Sequence, residues 1–252
     1  MNPNIHKAIL WRLDAGLLKW YGPVLMLFAR STFAVAAQAV VAVVFALLSS
    51  PRPWHDSEGW LPVYGTLIDI GCLTLLWRLT RREGIGLFDL VGFERKRLGR
   101  DILLGFALIP LSLVFIFGGV YAAGWVVYGT LMPPLVFGNL PLPAALYGVL
   151  VWPFIWGLTE QMTYNGYLLP RFQVVCRSGA AAVAIVAFAW SMQHSFMPVT
   201  FDARFMAYRL LASAPNATFQ TLLYLRLRRV VPFAFAHALM DSATVLIPLL
   251  NT

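Results

Sequence analysis

Charge is what this chain has least of. Asp, Glu, Lys and Arg make up 12% of its 252 residues, against about 25% in an ordinary soluble domain. The hydrophobic set reaches 60%, more than one water-soluble core can enclose, because too few polar side chains remain to cover its surface. A soluble enzyme, a disordered tail and a collagen-like fibre are excluded together. Cysteine is scarce too, at two residues: Cys72 lies inside an apolar run and Cys176 beside Arg177, so no disulfide is expected. Neither a repeat nor a low-complexity linker breaks the chain, and the Pro-rich stretch 128–143 is short. One membrane domain is left.

What the chain has in quantity is long apolar runs. A bilayer core about 30 Å thick takes roughly 20 apolar residues. Seven runs fit, at about 31–50, 60–78, 102–127, 141–170, 179–197, 204–225 and 231–250. Residues 1–30 read as an amphipathic interfacial segment ahead of a single transmembrane domain, 31–252. Ile9, Leu13, Leu17 and Trp20 share a helical face, Lys7, Arg12 and Lys19 reach headgroups, and Arg30 interrupts the apolar stretch, unlike a signal peptide.

The net charge of +8 does not mark a nucleic-acid binder, because the basic residues flank apolar runs instead of lining one face. Residues 78–101 hold seven Lys or Arg and 226–229 hold three, while the 129–140 loop holds no charge. Basic loops stay in the cytoplasm. The fold class expected is therefore all-α: a polytopic integral membrane helical bundle of about seven transmembrane helices with a cytoplasmic N terminus.

Polar residues inside such spans are costly, and they mark function. They are Gln38, Asp69, Glu160, Gln161, Asn165, Gln193, His194, Asn216, His237 and Asp241, eight of them beyond residue 159. Gln38 and Asn216 are expected to make interhelical hydrogen bonds. Asp69, alone in its span, reads as a packing hydrogen bond or a wall of a polar cavity. On a helix, Glu160, Gln161, Tyr164 and Asn165 share a face, and His237 and Asp241 are one turn apart. At 1.5 Å per residue, Glu160, His194 and Asp241 come to one depth within about 5 Å, with His237 slightly below.

A carboxylate facing an imidazole suits general-base activation of water, and a second imidazole with a carboxyl can stabilise an oxyanion. The same four residues, Glu160, His194, His237 and Asp241, are also a zinc donor set. Metal-free and metal-assisted attack both stay open. Other hydrolytic plans lack their parts: no H-E-x-x-H and no G-x-S-x-G occurs. Ser178-Gly179, a fragment like a rhomboid motif, sits at a cytoplasmic turn.

The order Glu160-Gln161-Met-Thr-Tyr164-Asn165, then Trp190-Ser-Met-Gln-His194, then His237-Ala-Leu-Met-Asp241 resembles a known family. It is the CAAX protease and bacteriocin-processing (CPBP, or ABI) family, which includes the type II CAAX prenyl endopeptidases. The resemblance covers about 141–250. It implies an intramembrane endopeptidase with Glu160 as water-activating base beside His194, and His237 and Asp241 as the oxyanion pair. Gln161, Tyr164, Asn165 and Trp190 support them.

It further implies a peptide or protein substrate in the lipid bilayer, prenylated CAAX peptides among the substrate classes, and a bacterial inner-membrane location. Cofactors are none or zinc. Gln161 and Asn165 stand where the family motif has Glu and Arg, so an amide pair replaces a charge pair; Trp190 replaces a Phe. The runner-up reading is a catalytically silent scaffold or bacteriocin-immunity protein that binds a peptide in the same cavity.

Overall fold

The computed structural model describes residues 3–131 and 140–250. The Pro-rich, charge-free loop expected between the third and fourth spans falls mostly outside them. A short helix α1 (Pro3–Asp14) precedes α2 (Tyr21–Leu47); the one-and-a-half-turn α3 (Pro53–Glu58) leads to α4 (Leu61–Arg82), and α5 (Leu98–Tyr128) follows. A fourth unit comprises α6 (Leu142–Leu150), α7 (Trp152–Gln161), a wider π turn over Met162–Leu168 and α8 (Leu169–Val175). Then come α9 (Gly179–His194), α10 (Ala203–Leu227) and α11 (Val230–Leu250). Each of the seven expected spans is a helix or helical unit, and no strand occurs among the described residues.

By length and composition, α2, α4 and α5 qualify as spans, and the bent α6–α8 unit makes a fourth. Helices α9 and α11 are apolar but shorter. Helix α10 fails for a chemical reason: Arg209, Ser213, Asn216 and Gln220 recur at i, i+4, i+7 and i+11, a polar stripe along one face. The bundle is polar within and apolar without. Leu103, Val114 and Val126 on α5 are exposed, whereas Arg30, Gln38, Asp69, Glu160, Gln161, Asn165 and Gln193 are all 0% exposed. Such a surface suits lipid, and the chain is an integral membrane protein.

Helix α2 begins ten residues before the expected start, because Arg30 does not interrupt it. Gly22 and Pro23 suit a first turn, where an amide has no helical acceptor. Arg30 then lies fully buried, its charge met from other helices. The cysteines are free, as expected. Ser178 caps α9, its hydroxyl accepting from the Ala181 amide at 3.2 Å.

The fourth unit is the centre of the bundle: every residue from 159 to 174 is buried. Helix α7 packs on α4 and α11, the π turn touches α2, α9 and α10, and α8 packs on α9 and α1. Two prolines shape it. Helices α6 and α7 meet at a 41° bend, just before Pro153, whose ring cannot sit in a straight helix interior. Pro170 lacks the amide that a regular helix would direct at the Gly166 carbonyl, and the ladder widens into the π turn there. Gly157 permits a close approach, since a Cβ on it would stand 3.0 Å from the Ala234 carbonyl oxygen on α11. That crossing brings α7, with Glu160, against the helix that carries His237 and Asp241.

Candidate active site

Glu160 is held from three directions in the middle of the bundle. The Trp190 indole N–H on α9 donates to Oε1. The Arg30 guanidinium on α2 donates to Oε2 at 3.3 Å. On α11, His237 Nε2 stands 3.9 Å from Oε1, beyond hydrogen-bond distance and free to be bridged or to close in. His237 Nε2 is also 3.4 Å from Asp241 Oδ2, a pairing that the one-turn spacing produces.

Arg30 does more than meet Glu160. It donates to Asp69 Oδ1 on α4 at 3.1 Å and to Gln193 Oε1 on α9 at 2.7 Å, and it lies 4.1 Å above the Trp156 ring. One guanidinium therefore joins four helices. Asp69, expected to be a packing hydrogen bond or a cavity wall, is that packing partner. Tyr164 completes this side: its hydroxyl donates to Gln193 Oε1 at 3.1 Å, and its ring stacks on Trp190 with centroids 5.1 Å apart.

Behind His237 runs an amide chain. The Asn165 amide donates to Gln161 Oε1 at 2.6 Å. Gln161 Nε2 donates in turn to Gln220 Oε1 at 2.7 Å and lies 3.4 Å from His237 Nδ1. A donor at Nδ1 leaves the imidazole proton on Nε2. The N–H thus points toward Glu160 and Asp241.

A cavity of about 280 Å³ opens beside this cluster, lined by Glu160, His194, His237 and Asp241 together with Trp190 and Trp156. The four residues read from the sequence as catalytic surround one space; Gln161, Tyr164 and Asn165 stand behind its wall. His194 faces the cavity without a side-chain hydrogen bond to the others. Among the described residues, no group of three His, Cys, Asp or Glu side chains is placed to hold a metal ion. As placed, Glu160, His194, His237 and Asp241 do not assemble a zinc donor set.

Residues 142–243 match the family model described as type II CAAX prenyl endopeptidase Rce1-like. No curated protein and no solved structure matches the chain. The Rce1-like stretch contains all three motifs, and the resemblance read from them is borne out. Where the motif has Glu and Arg, Gln161 and Asn165 are hydrogen-bonded in this chain. The cation near Glu160 comes instead from Arg30, outside the Rce1-like stretch.

Three contributors escaped the sequence reading. Arg30 looked like the end of an interfacial segment, although an Arg flanked by Phe28-Ala29 and the apolar run after 31 was a signal of a buried charge. Arg209 and Gln220 were legible as the periodic stripe on α10. Of the two expected interhelical hydrogen bonds, one is present. Gln38 accepts from the Tyr64 hydroxyl on α4 at 3.4 Å and also grips the Val199 backbone twice, at 3.0 and 2.8 Å. Asn216 lines the cavity with its Oδ1 unpartnered, because no donor reaches it across the open space.

Proposed function

We propose that this protein is an intramembrane endopeptidase that hydrolyses a peptide bond of a membrane-associated substrate, with water activated at Glu160. The observation that carries the reading is the cavity that Glu160, His194, His237 and Asp241 line together, within the Rce1-like stretch. Glu160 takes a proton from water while the oxygen attacks the substrate carbonyl carbon. The electron pair moves to the carbonyl oxygen, which accepts from the His237 Nε2–H that the Gln161 amide has oriented, and from Asp241 when that carboxyl is protonated. Collapse breaks the C–N bond, and the proton passes from Glu160 to the leaving amine. His194 orients the water from the opposite wall. No step runs through a metal ion. Prenylated CAAX-type peptides are the substrate class that the Rce1-like match favours, basic loops 78–101 and 226–229 favour a cytoplasmic N terminus, and the family resemblance alone suggests a bacterial inner membrane.

A second reading draws on the donors at Glu160. Trp190 and Arg30 already engage both of its oxygens, which suits a structural carboxylate in a silent peptide-binding scaffold or immunity protein. Incubating the purified protein with farnesylated CAAX peptide, with and without 1,10-phenanthroline, separates the readings. Release of a discrete C-terminal fragment, unchanged by the chelator, is expected. Binding without any fragment favours the scaffold, and chelator-sensitive cleavage overturns the metal-free route.

A further inference from the structure

The cavity wall carries a cation that hydrolysis as described leaves unused. Arg209 projects from the polar stripe of α10 into the same space as Glu160 and Asp241. One guanidinium nitrogen donates to the Met197 carbonyl at 3.2 Å, while Nε is buried without an acceptor. Among the described residues, no carboxylate pairs with it; Asp241 faces it only from across the cavity. The fully buried arginines differ. Arg30 holds Asp69 and Glu160, and Arg171 holds Glu83. A cation left unpaired in a low-dielectric wall is costly, and a guanidinium fork matches a carboxylate better than any other anion found in a peptide.

We propose that Arg209 binds the terminal carboxylate of the peptide. The proposal rests on the peptidase reading for what happens next, but the binding stands independently of it. Size agrees: about 280 Å³ is at the small end of ligand cavities and admits a chain end more easily than a loop. Trp152, Trp156, Leu61 and Met240 line the same cavity, which favours apolar side chains.

The test uses full-length protein in phosphatidylcholine nanodiscs and fluorescein-labelled decapeptides with apolar terminal residues. These are made as the free acid, as the C-terminal amide, and as an amide with a penultimate Asp. Binding is read by anisotropy and cleavage by mass spectrometry. The wild type is expected to bind the free acid about ten- to hundredfold more tightly than either amide, the range for a charge-assisted hydrogen bond. Arg209→Gln abolishes the preference and Arg209→Lys keeps part of it; where cleavage occurs, the loss falls on KM and not on kcat.

Equal binding of acid and amide by the wild type overturns the proposal, as does a preference that survives Arg209→Gln. Tight binding of the Asp-containing amide moves the recognised carboxylate to a side chain and overturns the terminal assignment. Should Arg209→Gln fail to fold, the wild-type ratio still decides. Selective binding without cleavage defeats the peptidase reading alone, and cleavage without selectivity defeats the carboxylate site alone.

Discussion

Arg30 is the residue on which the interior depends most. It pairs with Asp69 and Glu160 at once, and all three are buried. Removing the guanidinium leaves two carboxylates facing each other without a cation, and breaking a buried pair of this kind costs about 3–5 kcal/mol. Arg30→Met is expected to lower thermal stability in detergent by that order, and Arg30→Met with Asp69→Asn to recover much of it. No recovery in the double variant would show that Arg30 acts through packing on Trp156 alone. Gln161 is the second decisive residue. Its amide donates toward His237 Nδ1, which a Glu at that position could not do, since a carboxylate only accepts. Gln161→Glu is expected to reverse the imidazole tautomer, turning Nε2 into an acceptor and cutting kcat about a hundredfold. Adding Asn165→Arg supplies the missing cation and restores folding stability, measurable by thermal denaturation alongside kcat.

At the scale of elements, one crossing positions the chemistry. Gly157 lets α7 approach α11 so closely that an added Cβ would meet Ala234 O at 3.0 Å, Ala238 N at 3.1 Å and His237 Cβ at 3.3 Å. Gly157→Leu is expected to push the helices apart, costing about 1–3 kcal/mol and a larger share of activity than of stability. A cysteine pair across the crossing that still cross-links at the wild-type rate in Gly157→Leu would contradict this. The elements also show what the sequence made legible. Apolar runs located the seven long helical units, because hydrophobicity is a local property. The bend at α6–α7 and the π turn were not located, although Pro153 and Pro170 cause them, since a proline says where a ladder breaks and not how the chain recloses. In helix α10 the sequence reading singled out Asn216 alone; the full polar stripe has the period of a helix face and was legible in principle.

For the molecule as a whole, polar groups face inward and apolar groups face lipid, so function collects at the centre. The four catalytic candidates were readable because ionisable residues are rare in spans and their depths could be computed from helix rise. Their supports were harder to read: Asp69 and Gln193 lie 39 and 163 residues from Arg30 in the chain, and no local pattern joins them. The amide replacement at Gln161 and Asn165 was readable as a pair, and its hydrogen bond is present. Whether this assembly hydrolyses peptides comes down to Glu160 and its water. The direct measurement is kcat for a farnesylated CAAX peptide in purified wild type, Glu160→Gln and His194→Ala, each with its unfolding temperature. The account predicts a loss of about a hundredfold or more in both variants while Glu160→Gln stays folded. Wild-type turnover in folded Glu160→Gln would contradict it.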